Sequence, residues 1–171
     1  MRNNIFIIRE LDKNSSIFHA IQNQHLNYES KVLDQEIVES NYYISKKLDI
    51  PLATKLFYLK KARIIEGERR AVEKMWIKLD EVKGIENLDY NNASLLSVLK
   101  KKKGIDLLKT SEELLIVACN KEESEILNIN EGEEILLTKG VCYKKDDTSI
   151  EYFEISSDTE FFRFRSISKY E

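Results

Sequence analysis

At 171 residues, 42% hydrophobic and 33% charged, the chain has the make-up of a globular protein long enough for one sizeable core. A formal charge of −3 with a pI near 5.6 excludes a global pull towards nucleic acid or an anionic membrane. No apolar run reaches membrane-spanning length and Met1 is not followed by a secretory hydrophobic stretch, so the expectation is a single cytoplasmic domain over residues 1–171.

Residues 4–8 (NIFII) read as a short lead-in strand. Asn14, Ser15 and Ser16 are N-cap candidates for a helix whose stripe carries Ile17, Ile21 and Leu26. The chain turns β-like from Tyr28 to Val38, and NYYISKKLDI is a short helix closed by Pro51. Two strands follow, Lys55 to Ile65 and Arg69 to Leu79, joined by Glu66-Gly67-Glu68. NNASLLSVLKKKKG is a compact helix with Leu95, Val98 and Leu99 inward and Gly104 as its stop. Its run Lys100–Lys103 complements the helix dipole and is not read as a nucleic-acid patch. Asp106 to Asn120 is a long strand and KEESEILNI a second short helix. Glu134 to Lys145 and Thr148 to Ser157 form another hairpin about Asp146-Asp147, and FFRFRSI is the last strand. The strands succeed one another through tight turns, which predicts a mostly antiparallel sheet with helices packed on it, an α+β fold.

The chain also says one thing twice. LDIPLATKLFYLKKARIIEGERRAVEKMWI and LNINEGEEILLTKGVCYKKDDTSIEYFEI align with Leu48 on Leu127, Ile50 on Ile129, Leu56 on Ile135 and Phe57 on Leu136, 79 positions apart. Past the turn the offset drops by one, which sets Glu73 on Glu151, Met75 on Phe153 and Ile77 on Ile155. The expectation is an internally duplicated domain with a carboxylate at the same place in each half.

No signature of hydrolase, phosphate-loop, dinucleotide or Cys-x-x-Cys chemistry is present. His19 and His25 are six apart, roughly 240° on a helix, so no shared metal is expected, and no cofactor. Cys119 and Cys142 sit in β-like runs and read as buried small hydrophobes and not as a disulfide. The polar residues that remain are more telling. Lys61 and Arg63 alternate along one strand and share a face, and Glu73 lies on the next strand. Two uncharged polar helix starts, Ser15-Ser16 and Asn92-Ala93-Ser94, offer free amides and hydroxyls. Together these groups would hold a small anionic, hydroxylated ligand, with an Arg63–Glu73 register pair as the plainer alternative.

The first repeat, with NASLLSVLKKKKGI, VACNKEESEILNINEGEEILL and SIEYFEI, resembles the UTRA domain, the effector-binding half of GntR-type transcription regulators of the HutC subfamily, over about Ser16 to Phe164. The resemblance implies a chorismate-lyase-like fold, a central antiparallel sheet flanked by helices. It also implies a non-enzymatic homodimeric sensor whose ligand, a sugar phosphate or related anionic metabolite, controls operator-DNA binding by a winged-helix domain. The chain has no room for that domain, and an excised effector domain is expected before a natural stand-alone sensor. By resemblance the ligand-facing positions are Lys61, Arg63, Glu73, Ser94 and Glu151, with backbone near Ser15, Ser16 and Ile17 for the phosphate and Ser157 at the family's closing pattern. Lys61 stands where the family usually has Arg, Leu96 where an aromatic is common, and Ser157-Asp158-Thr159-Glu160 where the family closes with an aromatic and Arg-Gly-Asp-like residues, so an anionic metabolite is expected in place of an amino sugar. A chorismate-lyase-type enzyme and a ligand-free dimerisation module are the alternatives.

Overall fold

The computed structural model describes residues 5–11, 21 and 24–170. Its centre is a six-stranded antiparallel sheet built from β2 (Tyr28–Glu39), β3 (Lys55–Ile65), β4 (Glu68–Lys78), β5 (Leu107–Ala118), β6 (Glu134–Lys144) and β7 (Ser149–Asp158). The strand order is β2-β3-β4-β7-β6-β5. Each half is thus a meander of three strands, and the halves meet at the β4–β7 seam, where Met75 faces Phe153. The expected α+β class and antiparallel sheet are both present.

One connection was not legible in the sequence. The lead-in strand β1 (Ile7–Glu10) pairs in parallel with the last strand β8 (Phe162–Arg165), Ile7 facing Phe162. The strand begins at Ile7, later than the NIFII run, where its backbone first meets backbone: Ile7 N donates to Phe161 O at 2.7 Å, whereas Phe6 O accepts from the Gln24 side chain.

Helices α1 (Tyr42–Leu48) and α4 (Lys121–Leu127) lie on one face of the sheet. Both are seven residues long, start on an asparagine cap and end in a left-handed residue. Asn41 accepts from Ile44 N and Asn120 from Glu123 N, while Asp49 (φ 49°) and Asn128 (φ 54°) close them. Leu48 and Leu127 anchor each helix in its own small apolar cluster, with Leu56 and Tyr152 in one and Val72 and Ile135 in the other. The αL residue Asp49, not Pro51, terminates α1. The opposite face carries the main core, where Phe57, Leu59, Met75, Ile77 and Ile155 pack under Ile7, Val82, Tyr90, Leu95, Leu99 and Phe161. Those covering residues come from β1 and the approach to β8, from α2 (Leu79–Val82), from the connection that carries Tyr90, and from α3 (Leu95–Val98), whose last turn widens into a π-helical turn over Leu99–Lys103 before Gly104.

The register of the two hairpins corrects one sequence expectation. β3 and β6 start 79 positions apart, at Lys55 and Glu134, as the repeat requires. Past the turn the offset rises by one instead of falling. A one-residue bulge sits at Arg70 in the first hairpin and at Ile150 in the second, 80 positions on. The cause is turn length. Glu66 (φ 49°) and Gly67 (φ 80°) form a two-residue turn that closes Ile65 onto Glu68, whereas Lys144 N reaches Thr148 O around three residues. Glu73 therefore corresponds to Phe153, and Glu151 to Ala71, so the carboxylates do not occupy matching places. Both cysteines are buried and free.

Candidate functional site

The sheet face under α3 holds a polar patch within an otherwise apolar core. Alternation along β3 sends Lys61 and Arg63 to that face together with Phe57 and Leu59. Cross-strand pairing sets Glu73 directly beside Lys61, and Ala71 beside Arg63. Arg63 reaches diagonally past Ala71's small side chain to form an ion pair with Glu73, each side chain 11% exposed. Its other terminal nitrogen donates to the Tyr28 hydroxyl, and the guanidinium lies 5.8 Å from the Tyr28 ring centre. Burial alone would weaken the Arg63 charge, but Glu73 and Tyr28 hold its pKa above the ordinary value. Lys61 is treated differently. Burial, with Arg63 close by, pulls its ammonium down to about 8 against the partial support of Glu73 and Asp89. The ammonium donates to Ala93 O at 2.6 Å, one residue before Ser94.

That contact brings the start of α3 to the patch. Asn92 locks the approach to β2, since Ser30 N donates to its side-chain oxygen at 2.7 Å and Asn92 N donates to Ser30 O at 3.0 Å. Ser94 caps α3 by accepting from Ser97 N at 3.3 Å. The hydroxyl thus has the ordinary capping use recognised for this position, one residue beyond the Ala93 carbonyl that Lys61 holds.

Of the expected ligand positions, Lys61, Arg63, Glu73 and Ser94 converge. Ser157, fully buried, is on β7 in the same cross-strand row as Arg63, on the other side of Ala71. Glu151 shares the face but sits at the far end of β7, opposite Ile77 and Cys142. Its carboxyl is pushed up to about 8 by burial, with the Glu73 charge adding to the effect. Ser15, Ser16 and Ile17 lie outside the described residues. Three neighbours escaped sequence reading: Tyr28, Ser30 and Thr138. The alternation Tyr28-x-Ser30-x-Val32 placed the first two on one face, but only the β2–β3 register shows that it is the face of Arg63.

Among the described residues no group of histidine, cysteine and carboxylate side chains could hold a metal ion, and no helix is long and apolar enough to cross a membrane. The arrangement is suited to binding. Two cations, one carboxylate and several hydroxyls share a buried floor.

Residues 23–163 match the UTRA domain. Among solved structures, the effector domain of PhnF from Mycobacterium smegmatis is similar with a TM-score of 0.87 at 17% identity, over 96% of this chain and 100% of that one. The larger PhnF structure from the same organism gives 0.86 at 18% identity, over 97% of this chain and 73% of that one. A GntR-family transcriptional regulator from Bacillus cereus gives 0.74 at 22% identity, over 83% and 99%. These likenesses establish the fold. No curated protein sequence matches the chain.

Proposed function

The chain belongs to the UTRA domain family, a non-enzymatic family of effector-binding domains from GntR-family regulators, and on that premise we propose that it is the small-molecule sensor of a HutC-type regulator. The effector is a small anionic metabolite, a sugar phosphate first among the candidates. The observation that carries this reading is the convergence of Lys61, Arg63 and Glu73 on one buried floor, with Lys61 bonded to the residue before Ser94. Burying two cations is costly unless an anion meets them, and Glu73 matches only one. Lys61 and Arg63 would meet the anionic group, and Glu73 a ligand hydroxyl. Ser94, Ser157 and Glu151 complete the proposed set, with the segment at Ser15, Ser16 and Ile17 for the phosphate.

In this reading the whole of residues 1–171 is one chorismate-lyase-like domain, and its two helix–hairpin units are copies of one ancestral unit. The shared asparagine caps, αL stops and bulges support the duplication. The domain acts in the cytoplasm as a homodimer and passes ligand occupancy to a winged-helix domain on operator DNA. A coupling of about 1–3 kcal/mol suffices for such a switch. Strand β5, an edge of the sheet, exposes Leu108, Leu115 and Ile116, which supports pairing with a second copy.

A second reading is favoured by the closed Arg63–Glu73 pair: a ligand-free dimerisation module in which the pair only holds register. A thermal-shift screen with sugar phosphates, their free sugars, amino-acid-derived anions and chorismate separates the two. The sensor reading expects one phosphorylated compound, at about 100 times its dissociation constant, to stabilise the protein by about 2.7 kcal/mol, and Arg63→Ala to abolish the shift. A screen that moves nothing supports the module.

A further inference from the structure

Arg70 is the extra residue of the β4 bulge. Arg69 faces Ile64 and Ala71 faces Arg63, so Arg70 has no place in the ladder with β3. Across the seam Ala71 faces Ser157, and the next position sets Arg70 against Asp158, the last residue of β7. The Arg70 side chain is only 5% exposed, yet its guanidinium is shared among four parts of the chain. Nη1 donates to Glu68 at the start of β4 at 3.2 Å. Nη2 donates to Ile5 O, at the entry to β1, at 3.3 Å and to Asp158 Oδ1 at 3.5 Å. The Phe161 ring centre, in the connection from β7 to β8, lies 5.3 Å from the guanidinium.

None of these contacts is tight. Nε lies 3.2 Å from Asp158 Oδ2 as an ion pair but makes no aligned hydrogen bond. It is one of seven such buried polar atoms among the described residues, Ser30 Oγ and Thr138 Oγ1 being two others. A guanidinium committed to one carboxylate grips it through two parallel bonds of about 2.7–2.9 Å. Arg70 instead divides one buried charge, and that charge is tolerable only while carboxylates face it, so a shift of Asp158 has to be followed by Arg70. There is room to follow. A cleft of about 310 Å³ lies beside the guanidinium, with Ile5, Phe6, Glu160 and Arg163 on its walls. Phe6 is held separately, its ring centre 3.5 Å from the Arg163 guanidinium and its carbonyl accepting from Gln24 at 3.0 Å.

We infer that Arg70 is a latch between the β4–β7 seam and the chain entering β1: through it a shift of Asp158 moves Ile5, and opening it loosens residues 5–11 while the central sheet stays folded. The coupling is reciprocal, so a pull on the chain at Ile5 loads Asp158 and the end of the seam. The latch stands apart from the sensor reading, because the joint is present with or without a ligand and its test needs none.

The test is amide hydrogen exchange over the whole chain in wild type, Arg70→Lys, Asp158→Asn and the double variant. The amides of Ile7, Ile8 and Leu11 are all hydrogen-bonded and report on the segment. Asparagine keeps an oxygen to accept from Glu160 N, as Asp158 Oδ1 does at 3.1 Å, so the turn after β7 is retained while the charge is removed. Exchange in residues 5–11 should quicken about tenfold in either single variant, with β3 and β6 unchanged. The double variant should be no faster than the faster single one, as two residues acting as a unit require. Quickening spread evenly over all strands would show an ordinary core residue and overturn the latch. So would exchange in residues 5–11 that the variants leave unchanged, or two effects that multiply. If Arg70→Lys does not fold, Asp158→Asn decides by the first two criteria.

Discussion

The two hairpins share a bulge and a preceding helix, yet they put different chemistry on the same face. Where β3–β4 carries Lys61, Arg63 and Glu73, the matching places of β6–β7 carry Gly140, Cys142 and Phe153. Where β6–β7 carries Thr138, Glu151 and Ser157, β3–β4 carries Leu59, Ala71 and Ile77. One hairpin supplies both cations and their paired carboxylate, the other two hydroxyls and the lone carboxyl of Glu151. The second also shows what the first would look like without an ion pair. Phe153 lies over Gly140 so closely that a Cβ there would stand 2.8 Å from the ring and 2.5 Å from Ser111 O. The backbone plan is therefore indifferent to the chemistry it displays, and function resides in the side chains that break the likeness.

The sharpest way to break the comparison is at Arg63. Arg63→Ala leaves Glu73 and the Tyr28 hydroxyl facing an empty place, and chemical denaturation should register a loss of about 3–5 kcal/mol. Arg63→Met combined with Glu73→Leu removes the ion pair from the first hairpin and leaves Lys61 as its charge on this face. Its stability should return close to wild type while any response to sugar phosphates disappears; a double variant as unstable as Arg63→Ala would show the pair to be a structural necessity. Next in size is Gly140→Ala, whose methyl meets both Ser111 O of β5 and the Phe153 ring and should cost about 1–3 kcal/mol in the same assay. The test that turns on pH is at Glu151, the carboxylate without a counterpart. Its folded-state pKa of about 8 lies above the ordinary 4.5, so its contribution is complete below 4.5 and is lost as pH rises through 8. Melting temperature should decline across that window in the wild type and stay flatter in Glu151→Gln. Lys61, lowered from 10.5 to about 8, acts in the window above, where stability present at higher pH is lost as pH falls through 8.

Much of this was legible in the chain, for physical reasons that differ by element. The hairpins and both short helices are written locally, in alternation, in Asn41 and Asn120, and in Gly67. Lys61, Arg63 and Glu73 were legible because charge on the core-facing side of a strand is conspicuous. The offset past the turn was misread because Glu73 and Glu151 match as letters, whereas register follows turn length, and three residues in place of two move the pairing. Ser30 and Thr138 gave no signal, since a hydroxyl in a strand is ordinary until burial without a partner is known. The β1–β8 pairing joins residues some 150 positions apart and leaves no local trace.

That pairing has a mechanical consequence. Because β1 and β8 run parallel, the upstream end of one and the downstream end of the other lie at opposite ends of the ribbon. Tension applied between Ile5 and Tyr170 would load its rungs together, in shear, instead of opening them one after another as in a peeled hairpin. Arg9, gripping Glu112 of the edge strand at 3.2 Å, would carry part of that load into the sheet. A tug from the upstream side is therefore delivered to the far edge of the molecule before anything unravels.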